Sequence, residues 1–152
     1  MSTVKTNISN DMIEKCQKVL RDLSEISKQY SSELDITNLQ FYDTLKKKVS
    51  ANLEFLSTYK YIIISEYDRL EVIIKKERRH EFLLEIMKSK KLSYSRSDRE
   101  VEIHEEYMSD KELLLKINKL KNMIINKYSF YSKLLESIRQ SISTASKEKL
   151  NK

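Results

Sequence analysis

Apolar side chains recur along this chain at intervals of three and four, the spacing that winds one stripe down an α-helix. The first such run covers residues 9–31. Met12, Cys16, Val19, Leu23, Ile26 and Tyr30 alternate steps of four and three, an unbroken a/d seam of about three heptads. A seam this narrow pairs with another helix, in this chain or another, or orders as a mobile arm on binding. A break follows near residues 32–36. Thr37-Asn38-Leu39-Gln40 then reads as a capping box, with the Thr37 hydroxyl on the N3 amide and Gln40 reaching back.

The second run starts there. Tyr42, Leu45, Val49, Leu53, Leu56 and Ile63 hold helical spacing, and Leu70 and Ile74 continue it beyond the dense Tyr61-Ile62-Ile63-Ile64 stretch. No breaker appears before about Lys91. An unbroken helix over 38–91 is about 80 Å long at 1.5 Å per residue. A compact domain of this size has a radius of gyration of about 15 Å, so the helix kinks or the molecule is elongated and oligomeric. Residues 90–108 are the least regular. Ser93, Ser95, Ser97 and Asp98 favour turns, and Val101 and Ile103 alternate with Glu100, Glu102 and His104. That alternation is a period-two signal for a short strand or extended piece near 99–105. Ser109-Asp110-Lys111-Glu112 reads as a second capping box. The third run follows it: Leu113, Ile117, Leu120, Ile124, Tyr128, Tyr131, Leu135, Ile138 and Ile142 form a second candidate assembly seam, with residues 146–152 frayed. Three segments are expected: a helical arm (1–33), a long helix followed by an irregular loop (34–108), and a C-terminal helix (109–152).

Composition sharpens this mainly-α reading. The 152 residues contain no glycine and no proline, where average usage gives about 11 and 8. Phosphate-cradling and dinucleotide-binding loops and the nucleophile elbow all need glycine where backbone approaches closely or takes positive φ. Their absence, with no evident nucleophile set, argues against an enzyme. Hydrophobic content of 39% beside 34% charged residues suits long helices burying one stripe each. The single cysteine, Cys16, forms no internal disulfide, fits a reducing compartment and sits on the apolar stripe as a packed thiol. With no signal peptide and no 18-residue apolar run, a soluble intracellular protein is expected, without a membrane partner. His80 and His104 lack metal-site spacing, and the acidic residues of 98–110 lack the EF-hand glycine; no metal and no cofactor are expected.

Charge is unevenly placed. Net charge is −1 over residues 1–74, +5 over 75–97, −5 over 98–110 and +7 over 111–152. Basic blocks suit a polyanionic partner or form a solvated face. At 100° per residue, with Lys75 at 0°, Arg78 falls at about 300°, Arg79 at about 40° and Phe82 at about 340°. Lys76 sits at the margin of this arc, and Glu77, Glu81 and Glu85 lie opposite. Cations and one aromatic on a single face suit phosphates and an unpaired base. Lys88, Lys90, Lys91 and Arg96 extend the track, and Tyr94 is placed to stack. Tyr42, Tyr128 and Tyr131 lie on seams and are expected to pack. The acidic stretch either pairs with basic residues or repels DNA from one surface.

Several landmarks occur together: Leu39-Gln40-Phe41 opening the second run, Lys76-Glu77-Arg78 late in it, Glu100-Val101-Glu102-Ile103 ahead of Ser109-Asp110-Lys111, and Leu135-Glu136-Ser137-Ile138-Arg139. In their order and spacing, from about Asp35 to Ile142, the chain resembles the UvsY family of recombination mediators of T4-like bacteriophages. The resemblance implies a single-stranded-DNA-binding protein that assembles into rings of six or seven. Such a protein helps load a RecA-like recombinase onto DNA covered by single-strand-binding protein, in the cytoplasm of the infected host. It places a DNA-binding Lys-x-Arg element on Lys76 and Arg78, and gives assembly to the C-terminal helix. The chain departs from the family in two places. The paired aromatics after Lys-x-Arg are represented by Phe82 alone, and a Ser/Lys-rich stretch replaces the glycine-bearing loop. Residues 1–33 lie ahead of the family's usual start. The reading that stands against this one is a coiled-coil adaptor with a solvated basic face.

Overall fold

The computed structural model describes residues 3–151, and among them every regular element is a helix. Helix α1 spans Asn10–Ser32, α2 Leu39–Val72, α3 Arg79–Lys90, α4 Tyr94–Ile103 and α5 Glu105–Leu150. Between α2 and α3 the chain stays helical, but Ile73–Arg78 has π geometry, with right-handed backbone at Val72 and Arg79 on either side. Among the described residues no helix is long and apolar enough to cross a membrane.

The chain divides into two compact units. One contains the residues up to Ser9 and Ile62–Asn122; the other contains Asn10–Tyr61 and Met123–Lys152. Both α2 and α5 contribute to each.

The second unit is a helical bundle. Cys16, Leu23 and Ile26 of α1 are buried, as are Tyr42, Leu45, Val49, Leu53 and Leu56 of α2 and Ile124, Tyr131, Ile138 and Ala145 of α5. The buried α5 positions recur every seven residues, so one edge of the helix faces inward throughout. Rings of Tyr30 and Tyr42 meet edge to face at 6.1 Å, and the Tyr30 hydroxyl lies 2.9 Å from Ser141 Oγ. Lys60 Nζ sits 4.0 Å above the Tyr128 ring, while Leu53 and Leu135 line one hollow. Higher positions on α2 meet lower positions on α5, so the two run antiparallel. Ile124, Tyr131 and Ile138 of the α5 seam are therefore occupied inside the protomer, while Tyr128, Leu135 and Ile142 are half-buried. Burial pushes the Cys16 thiol pKa up, as an apolar site does to any acid whose charged form it desolvates.

Local chemistry displaces several expected boundaries. The cap of α2 is Asn38 rather than Thr37: Phe41 N donates to Asn38 Oδ1 at 3.2 Å, and the Thr37 hydroxyl turns back to Asp35 Oδ1 at 2.7 Å. The expected strand near 99–105 is instead α4, because Ser97 and Val101, four apart, bury together on one helical face. The expected capping box at Ser109 lies inside α5, which starts at Glu105 once His104 has taken an extended conformation. The helix also persists to Leu150, through most of the stretch expected to fray; Lys152 lies outside the described residues.

Candidate nucleic-acid interface

The first unit carries the basic block, and its geometry starts from the π segment. From α2 into α3 the fully buried positions are Leu70, Ile74 and Phe82, with Arg78 and Ile86 nearly so, a stripe in steps of four. An α-helix drifts by about 40° with each such step. The wider i→i+5 turn of a π segment takes up part of that drift and keeps one edge facing inward. The face computed at 100° per residue is therefore not the face the helix presents.

Two residues assigned to DNA contact are interior. Phe82 is 0% exposed, with its ring 4.6 Å from that of His104 and 6.0 Å from that of Tyr107. It does not stack on a base in this fold. Arg78 is buried as well: its Nε donates to Asp110 Oδ2 at 2.9 Å, and its guanidinium stacks 4.9 Å from the Phe82 ring centroid. A buried guanidinium with a buried carboxylate is a structural pair, so the Lys-x-Arg element divides into an outward Lys76 and an inward Arg78.

Three other cations are engaged at the surface. Arg79 Nη2 lies 2.7 Å from Asp98 and 3.3 Å from Glu102. Lys90 Nζ lies 2.8 Å from Glu100, and Lys75 Nζ 2.9 Å from Glu71. Glu102 also accepts from Lys111 at 2.7 Å. That ammonium is the main reason its carboxyl lies below the ordinary carboxylate range, and Asp98 in turn holds the Arg79 pKa up. The acidic stretch thus pairs with the basic block.

What remains open is a smaller set. Lys76, Lys88, Lys91 and Arg96 are exposed, and the structure gives them no ion pair. Tyr94 is 62% exposed. Lys91 terminates α3 in the left-handed conformation, φ 51° and ψ 39°, a position glycine usually fills and this glycine-free chain gives to a lysine. Sequence reasoning missed Arg99, which is exposed and follows Arg96 by three on the outward face of α4. A helical reading of 94–103 exposes that i,i+3 pair; the period-two reading hides it.

Among the described residues no group of three or more His, Cys, Asp or Glu is placed to hold a metal ion. Compared with protein-family models, curated proteins and solved structures, the chain matches none.

Proposed function

We propose that this protein is a non-enzymatic single-stranded-DNA-binding recombination mediator. It helps load a RecA-like recombinase onto DNA covered by single-strand-binding protein, in the cytoplasm of a phage-infected bacterium. The observation that carries the reading is the set of exposed, unpaired cations Lys76, Lys88, Lys91 and Arg96 in one unit, with Tyr94 exposed among them. Lysine and arginine on an open helical surface neutralise phosphates, and a free tyrosine ring stacks on an unpaired base. Sites of four or five cations are individually weak, and a homohexamer or homoheptamer sets many of them side by side on one strand. Ile124, Tyr131 and Ile138 of the α5 seam are packed within the chain, so copies join through apolar side chains that stay exposed. Phe130 on α5 and Phe55 on α2 are the leading candidates.

A second reading, the helical adaptor, is favoured by the ion pairs that already engage Arg78, Arg79 and Lys90 inside the protomer. Anisotropy of labelled oligo-dT against the matching duplex, over a salt series, separates the two. The mediator prefers the single strand, with log K falling by about 0.7 per neutralised phosphate per unit log salt. Lys76→Ala with Lys88→Ala and Lys91→Ala weakens binding and flattens that slope. A folded protein that binds neither form at low salt is the adaptor.

A further inference from the structure

Helix α4 lies against α3 in a way that bears on how the basic face is used. Its inward edge offers little apolar anchorage. Val101 is fully buried, but Tyr94 and Ile103 are exposed. The other buried position is Ser97, whose hydroxyl has no hydrogen-bond partner, and a buried unpaired polar group opposes docking. The chain enters α4 through the left-handed Lys91 and the extended Ser93, and leaves it through the extended His104. Beyond Val101 and the His104 ring on Phe82, charge fastens the helix on both flanks: Asp98 and Glu102 hold Arg79, Glu102 also holds Lys111, and Glu100 holds Lys90. All of these pairs are partly open to solvent, where ion pairs are individually weak and screened by salt.

Resting on the DNA-binding reading above, we propose that α4 is an intramolecular competitor for the strand. Its carboxylates occupy Arg79, Lys90 and Lys111, the donors that phosphates would otherwise engage. A carboxylate and a phosphate oxygen make the same charge-assisted bond to these groups. A strand first held by Lys76, Lys88 and Lys91 exchanges phosphates for Asp98, Glu100 and Glu102, and α4 lifts from α3. The full basic surface is thus reached only by a polyanion presenting several phosphates in register. Isolated anions and mixed-charge protein surfaces do not open it.

The test uses the full chain. Asp98→Asn with Glu100→Gln and Glu102→Gln is compared with a variant of equal net charge, Glu77→Gln with Glu85→Gln and Glu112→Gln, which removes exposed carboxylates outside these pairs. Oligo-dT affinity is read by anisotropy. Hydrogen exchange of the α4 amides is followed in the unmutated protein with and without saturating oligo-dT, a measurement that stands even if a variant misfolds. The α4 variant binds about tenfold tighter than its charge-matched control, and the α4 amides of the unmutated protein lose protection on binding. Equal affinities for the two variants, or α4 protection unchanged at saturation, overturn the competitor role while leaving DNA binding in place. If the unmutated protein does not bind oligo-dT at low salt, the DNA reading falls and the competitor role with it.

Discussion

Arg78 and Asp110, 32 residues apart in sequence, form a buried ion pair in which Nε donates to Oδ2 at 2.9 Å. Removing one partner leaves the other charged and enclosed, which typically costs about 3–5 kcal/mol. Asp110→Asn is therefore expected to lower the denaturant midpoint sharply. Arg78→Met with Asp110→Leu, which removes both charges and keeps most of the volume, recovers much of the loss. Equal midpoints for Asp110→Asn and the unmutated protein would show that the pair is not closed in solution.

Residues 6–8, ahead of α1, are held by burial of Ile8 and by one carboxylate. Glu66 is buried and accepts from Arg69 at 2.7 and 2.9 Å, from the Asn7 amide at 2.8 Å and from the Thr6 hydroxyl at 3.1 Å; Arg69 also reaches the Lys5 carbonyl. These bonds, the Arg69 ones foremost, hold the Glu66 pKa below its ordinary value of 4.5. A depressed carboxyl stabilises the fold above its unfolded pKa, and the contribution fades as pH falls through the lower folded value. The attachment is thus complete at neutral pH and weakens below about pH 4.5. Glu66→Gln removes this acid dependence. Exchange of the Asn7 amide across an acid titration reads it directly, and a profile identical in Glu66→Gln contradicts the assignment.

Ser97 presents a different kind of fault. Its Oγ is enclosed and without a partner, so the hydroxyl is desolvated with nothing in return, at a cost of about 1–3 kcal/mol. Ser97→Ala is expected to raise the melting temperature and increase the hydrogen-exchange protection of residues 94–103. A melting temperature that falls instead means the hydroxyl is satisfied in solution.

The elements legible in the sequence are those whose spacing is regular and whose partner is apolar. The α1 stripe through Cys16, Leu23 and Ile26 and the α5 stripe through Ile117, Ile124, Tyr131 and Ile138 are buried where heptad spacing puts them. Spacing alone leaves the partner helix open, and here it belongs to the same chain. The basic surface is less legible. A helical wheel assumes a constant turn, and the π segment at Ile73–Arg78 breaks that assumption where the cations cluster, carrying Arg78 inward and leaving Lys76 outside. Alternating Glu100, Val101 and Glu102 mimics a strand, yet the carboxylates are set by ion pairs with Lys90 on one side and Arg79 and Lys111 on the other. Asp110, read as part of a cap, has a partner 32 positions earlier that no local pattern announces.

Adjacent residues of α5 allow folding and the proposed assembly to be tested apart. Tyr131 is buried within the bundle, whereas its neighbour Phe130 is 56% exposed, with the two rings edge to face at 5.1 Å. Ile138, one heptad beyond Tyr131, is fully enclosed. Truncating it leaves a cavity among packed side chains, and large-to-small changes at such sites cost about 2–5 kcal/mol. Ile138→Ala is thus expected to lower the melting temperature markedly whatever the oligomeric state. Phe130→Asp adds a charge at a site open in the protomer, so helical content by circular dichroism stays the same. If Phe130 joins copies, the charge is buried without a partner in the assembly, and sedimentation shows the mass falling toward that of one chain. A Phe130→Asp protein with both its helicity and its assembled mass intact would move the contact to another exposed apolar surface, such as that around Phe55.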